Sequence, residues 1–190
     1  LNYKGHAREM GHELPTEPVI FLKPPTSVVG HGAEIRIPDG HDVVDYEAEL
    51  ALVIGRRAHK VTPEQARTHV LGCTCANDVT SRVLQQRDGQ WTRAKGFDTF
   101  CPLGPWVETD VDPRDTTLES YVNGERRQST STPDMIFDPY ELVSFVSGVM
   151  TLLPGDVVLT GTPAGIGPLH RGDVVEIRIG GIGSLINRVV

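Results

Sequence analysis

The stretch Asp45-Tyr46-Glu47-Ala48-Glu49-Leu50-Ala51-Leu52-Val53-Ile54-Gly55 decides how the rest of the chain is read. In a β-strand side chains alternate between faces, so Glu47 and Glu49 point the same way, roughly 6.6 Å apart along the strand. Tyr46, Ala48, Leu50, Leu52 and Ile54 take the other face and are apolar, while Ala51 and Val53 continue the glutamate side and are apolar too. A strand apolar on both sides is normally covered on both sides. Two carboxylates entering such a face repel each other and lose hydration, so they require a compensating cation. That cation is a Lys, an Arg or a metal, and an all-oxygen ligand set favours Mg²⁺, Mn²⁺ or Ca²⁺ over zinc. An exposed lip at the strand end would remove the requirement. The Glu-x-Glu spacing alone leaves the two arrangements equally open.

Working outward, short apolar runs punctuated by 20 Gly and 14 Pro indicate a mainly β fold with a few helices in one domain. Tyr3 to Met10 reads as a short helix, and Val19 to Pro25 (VIFLKPP) as a strand stopped by its prolines. Thr62-Pro63-Glu64-Gln65 carries an N-cap, a first-position Pro and a capping-box Gln, which predicts a helix reaching about Val70. LGCTCANDVT follows as a strand, with a helical turn over Ser81 to Asp88. Asn123-Gly124 between strand-like flanks marks a hairpin. Asp138-Pro139 opens a helix whose Leu142, Val143, Phe145, Val146, Val149 and Met150 form an apolar face. The remainder alternates turns and strands.

With 190 residues, 38% hydrophobic and 23% charged, the composition is that of an ordinary globular domain. The net charge of -7 is not offset by any Lys/Arg-rich stretch, which argues against nucleic acid and anionic membranes as partners. No run approaches the length of a membrane span, and LNYKGHAREM does not have the pattern of a signal peptide, so a cytoplasmic address is expected. The chain opens without Met, and residues upstream of Leu1 are expected. Cys73, Cys75 and Cys101 are too few and irregular for a disulfide framework and lack zinc-ligand company, so they read as reduced, buried, small apolar residues. GTPAGIG lacks the Lys-Ser/Thr of a phosphate loop. Arg171-Gly172-Asp173 reads as a turn.

The words NYKGHAREMG, EPVIFLKPP, DYEAELALVIG, NDVTSR, WTRAKGFDTFCPLGP, VNGERRQ and LLPGDVVLTGTPAGIG occur in this order over nearly the whole chain. In that order they resemble the fumarylacetoacetate hydrolase family, in its small-molecule catabolic branch. The resemblance implies a β-roll or β-sandwich-like single catalytic domain over 1–190, with residues 1–12 as a lid segment, assembled as a homodimer. It implies a Mg²⁺ or Mn²⁺ ion (Ca²⁺ in a crystal) held by Glu47, Glu49 and Asp78. His6 and Glu9 match a base and its orienting carboxylate, three apart on one helix face. Lys95 matches a catalytic lysine. Arg82, Gln85 and Thr162 match substrate-contacting positions. The expected chemistry is that of a 2-oxo acid chelated to the ion, whose Lewis acidity stabilises an enolate.

Three outcomes share that enolate: isomerisation, decarboxylation and C–C hydrolysis. The DYEAELALVIG wording is similar to enzymes that isomerise 2-hydroxyhepta-2,4-diene-1,7-dioate or decarboxylate 5-oxopent-3-ene-1,2,5-tricarboxylate. Acylpyruvate hydrolysis of the fumarylpyruvate type and oxaloacetate decarboxylation are the alternatives. A non-catalytic, metal-stabilised binding module is the reading from another class.

Overall fold

The computed structural model describes residues 1–41 and 43–190. The elements run in order α1 (Lys4–Glu9), β1 (Val28–Val29), β2 (Glu34–Ile35), β3 (Val44–Tyr46), β4 (Ala48–Ile54) and α2 (Pro63–Ala66). They continue with β5 (Val70–Asn77), β6 (Thr80–Ser81), α3 (Arg82–Asp88), α4 (Thr92–Lys95), β7 (Cys101–Glu108), β8 (Thr117–Val122) and β9 (Glu125–Ser131). Last come α5 (Pro139–Val149), β10 (Val157–Leu159), β11 (Gly167–Leu169), β12 (Val174–Ile179) and β13 (Gly183–Val189). The fold is mainly β, as the sequence predicts.

Two five-stranded sheets and one of three strands carry the structure: β1-β7-β5-β4-β10, β2-β13-β12-β8-β9 and β11-β3-β6. The inner faces of the larger two form the core. Leu50, Leu52, Ile54, Cys73 and Cys75 come from one sheet, and Leu118, Val122, Val175, Ile177, Ile179 and Leu185 from the other. β8 and β12 alternate buried and more exposed residues, as sheets solvated on one face do. β4 is buried at every position, as its two apolar faces require. The Asn123-Gly124 turn joins β8 to β9 with both residues at positive φ (52° and 82°), the conformation this pair adopts most readily.

Four sequence expectations are corrected. Asp45 to Gly55 is not one strand: the chain leaves the three-stranded sheet at Tyr46 and enters the larger sheet at Ala48, so Glu47 sits at the break. Val19 to Pro25 is not a strand. It has no ladder partner, Val19 and Leu22 are exposed, and it leads into a 3₁₀ segment at Pro25–Ser27. β-Propensity describes fitness for a pleated, half-buried surface, and no neighbouring strand supplies one here. The helix capped by Thr62 has its full capping box but ends at Ala66, because Val70 already belongs to β5. On α5, Val149 is exposed, and the buried Ser147 bonds the Val61 amide instead.

Candidate metal centre

Two neighbouring strands change sheets at the same level. β4 pairs with β5 in the large sheet, Ala48 opposite Asn77, whereas β3 pairs with β6 in the small one, Asp45 opposite Thr80. Between these ladders the Asp78 amide donates to the Glu47 carbonyl at 2.9 Å. The Glu47 amide donates to Asn77 Oδ1 at 2.9 Å, and the Ala48 amide to Gln128 Oε1 at 3.1 Å. Side chains thus satisfy the amides that the break removes from the ladder. Both breaks aim carboxylates into one place. Glu47, Glu49 and Asp78 each bring an oxygen within 4.8 Å of the other two, and all three residues are buried.

Cations meet two of these carboxylates. Lys95 Nζ donates to Asp78 Oδ2 (2.6 Å), Thr80 Oγ1 (2.7 Å) and Glu47 Oε2 (3.0 Å). Lys23 Nζ reaches Asp78 Oδ1 at 2.6 Å. Arg82 bonds Glu47 Oε1 through Nη2, Asp45 Oδ2 through Nε at 2.7 Å and Gln85 Oε1 through Nη1 at 2.7 Å. Glu49 differs: Oε2 accepts the Gly161 amide at 2.6 Å, and no cationic side chain among the described residues pairs with it.

The titration of the cluster follows from this asymmetry. Burial and the charges of Asp78 and Glu47 push the Glu49 carboxyl up to about 8. Burial acts the same way on Asp78, but Lys23 and Lys95 outweigh it and hold that carboxyl down at about 2. For Lys95 burial opposes the charge, and the Asp78 and Glu47 carboxylates overcome it, so the ammonium is held above its ordinary range. Hard oxygen donors, deep burial and one carboxylate lacking a cation fit a divalent ion of the Mg²⁺/Mn²⁺ type.

The N-terminal helix lies against the loop after β10. His6 Nδ1 is 2.8 Å from Glu9 Oε2, and Glu9 Oε1 accepts the Gly165 amide at 2.9 Å. Asn2 Nδ2 donates to the Thr160 carbonyl at 2.8 Å, while the next amide along, Gly161 N–H, holds Glu49. A side chain at Gly161 would collide with Asn2, its Cβ lying 2.8 Å from that residue's Cβ. The loop between Thr160 and Gly165 therefore contacts both the helix and the acidic cluster.

Of the residues singled out in the sequence, Glu47, Asp78, Lys95, Arg82 and Gln85 are linked in this network, and Glu49 lies beside it. Lys95 closes α4 and is 2% exposed. Thr162 is buried and accepts from Gln128 Nε2 at 2.8 Å. Lys23, Asp45 and Gln128 were not singled out. Lys23 lies in the segment misread as a strand. Asp45 lies two residues before Glu47, at the same spacing that pairs Glu47 with Glu49, and that spacing could have found it; Gln128 is a lone buried polar residue on a mostly exposed strand.

The fold and cluster define a mainly β protein with a buried three-carboxylate centre flanked by lysine and arginine. The chain matches the fumarylacetoacetate (FAA) hydrolase C-terminal domain over residues 1–190, and it belongs to that family of enzymes. It is similar to 5-carboxymethyl-2-hydroxymuconate delta-isomerase of Mycobacterium smegmatis, with TM-score 0.94 and 53% identity, covering 100% of this chain and 76% of that one. Fumarylpyruvate hydrolase of Pseudomonas aeruginosa, solved with Mn²⁺ and pyruvate, has TM-score 0.93 and 38% identity, with 100% and 86% covered. A mitochondrial oxaloacetate tautomerase of Bos taurus is 43% identical over 100% of this chain and 64% of its own length. No helix among the described residues is long and apolar enough to cross a membrane.

Proposed function

We propose that this protein is a Mg²⁺- or Mn²⁺-dependent catabolic enzyme acting on a 2-oxo or 2-hydroxy-dienoic dicarboxylic acid, as an isomerase or decarboxylase of the 2-hydroxyhepta-2,4-diene-1,7-dioate type. The observation that carries the reading is the buried Glu49, without a direct cationic partner among the described residues, beside two carboxylates already paired with cations. Glu47, Glu49 and Asp78 would hold the ion, which when bound supplies Lewis-acid stabilisation of charge developing on a substrate oxygen. Lys23, Lys95 and Arg82 ring the same point and would receive the oxygens of an anionic substrate. Gln85 fixes the plane of the Arg82 guanidinium. Thr162, oriented by Gln128, would offer its hydroxyl to a substrate carboxylate. His6, with Nδ1 engaged by Glu9, keeps Nε2 as the atom that takes or returns a proton. We place the working unit as a homodimer.

The Mn²⁺- and pyruvate-bound fumarylpyruvate hydrolase supports a second reading, C–C hydrolysis of an acylpyruvate, on the same residues. A Mg²⁺-dependent panel separates the reactions: acetylpyruvate, oxaloacetate and 2-hydroxyhepta-2,4-diene-1,7-dioate followed side by side by ultraviolet absorbance. Metal-dependent conversion of the dienedioate, faster than the other two, is expected. Conversion of none would overturn the functional reading.

A further inference from the structure

Tyr46 is the last residue of β3 and is 3% exposed. Its hydroxyl donates to the Gly165 carbonyl at 2.8 Å. Gly165 in turn donates its amide to Glu9 Oε1 at 2.9 Å, and the other Glu9 oxygen holds His6 Nδ1 at 2.8 Å. Three hydrogen bonds therefore run in series from a buried strand to the imidazole. The middle member has to be glycine. Gly165 has φ +98°, and a Cβ there would sit 2.4 Å from the Arg127 carbonyl oxygen. Gly167 flanks the phenol closely, since a Cβ on it would come within 3.2 Å of the Tyr46 hydroxyl. On the helix side, a Cβ added to Gly5 would meet Ala164 Cβ at 3.6 Å, an ordinary van der Waals distance.

Tyr46 does not belong to the acidic cluster, although it adjoins Glu47 in the chain. Its backbone is fixed by pairing with Gly167, and its ring projects toward the loop that α1 rests on. The hydroxyl is thus anchored in the sheet and acts on the loop. The loop amide is what keeps Glu9 extended toward His6 rather than turned to solvent, where its one-third-exposed side chain could otherwise go.

We infer that Tyr46 is a positioning residue for the His6–Glu9 dyad, acting through the backbone of Gly165. The inference rests on the reading of His6 as the proton-moving group. Small displacements of a base from its working geometry cost rate without changing ground-state binding.

The test is Tyr46→Phe, which deletes one oxygen and keeps the ring, alone and combined with Glu9→Ala. With the substrate that the panel identifies, kcat is expected to fall about tenfold, the size of one hydrogen bond's contribution, with KM changed by less than about twofold. Mg²⁺ affinity should match the parent. In the Glu9→Ala background the added substitution should have no further effect, because the bond chain is already cut. Amide exchange over Lys4 to Met10 should accelerate in Tyr46→Phe. An unchanged kcat, or a loss that multiplies fully with that of Glu9→Ala, would overturn the assignment. Turnover that survives His6→Ala would instead sink the dyad reading. In that case the exchange measurement still decides whether Tyr46 holds the helix.

Discussion

Lys95 and Asp78 are joined by an ion pair of 2.6 Å in which neither side chain is more than 3% exposed. The same ammonium also binds Glu47, so its one positive charge is shared between two carboxylates and sits where they converge. Removing one partner of a buried pair leaves a stranded charge, which costs far more than the pair's net worth. Lys23 still pairs with Asp78 and Arg82 with Glu47, so neither carboxylate is fully stranded, and Lys95→Met should destabilise the metal-free protein by about 1.5–3 kcal/mol. Saturating Mg²⁺ should return part of that loss. Chemical denaturation with and without the ion is the measurement.

Glu49→Gln should have the opposite sign in the absence of metal. The parent carboxylate is buried among like charges with only the Gly161 amide as a partner, and the amide oxygen of Gln can accept that same bond. A gain of about 1 kcal/mol, or a Tm rise of roughly 2–4 °C, is expected. Mn²⁺ affinity should drop on the order of 100-fold with the loss of a charged ligand. Calorimetric titration beside thermal melts reads both effects. A variant that melts lower and still binds metal would contradict the assignment of Glu49.

His6→Ala should leave metal affinity and melting nearly unchanged and lower kcat by roughly 10²–10⁴-fold, the usual contribution of a positioned general base. Steady-state kinetics with the active substrate of the panel, alongside metal titration, separates loss of the base from loss of the fold.

The three thiols give the pH prediction. Burial pushes Cys73, Cys75 and Cys101 up to about 12, against 9.0 for an exposed thiol. The folded state thus holds these protons more tightly than the unfolded one. Their stabilisation is complete below pH 9.0 and is lost as pH rises toward about 12. At pH 8 the native protein should react negligibly with a thiol reagent, and denaturant should release all three thiols. Fast native labelling would show that they are exposed.

Periodicity singled out the glutamate pair but left a buried site and an exposed strand lip equally open, and it gave no sign of the break at Glu47. Asp78 required the resemblance, since nothing in local spacing says that β5 and β4 change sheets together. Caps and the Asn-Gly turn were legible because their chemistry acts over three or four residues. The break at Glu47, the early end of α2 and the unpaired course of Val19 to Pro25 depend on which segment lies alongside, a long-range fact. Lys23 and Gln128 were missed for the same reason: a lone lysine before two prolines, or a lone glutamine in an exposed strand, looks solvated until its partners from elsewhere in the chain are known.

One peptide unit carries a wider consequence. The carbonyl of Thr160 is held by Asn2, and the N–H of the same planar group is held by Glu49. Rotation of that plate to follow one partner swings it away from the other, since the amide plane does not flex appreciably. The grip of Glu49 and the seating of Asn2 are then coupled through that one peptide unit. By linkage, whatever tightens one tightens the other by the same factor. Metal affinity becomes a gauge of whether Asn2 is in place, and a chain cut back past Asn2 would register the loss at a carboxylate it never touches.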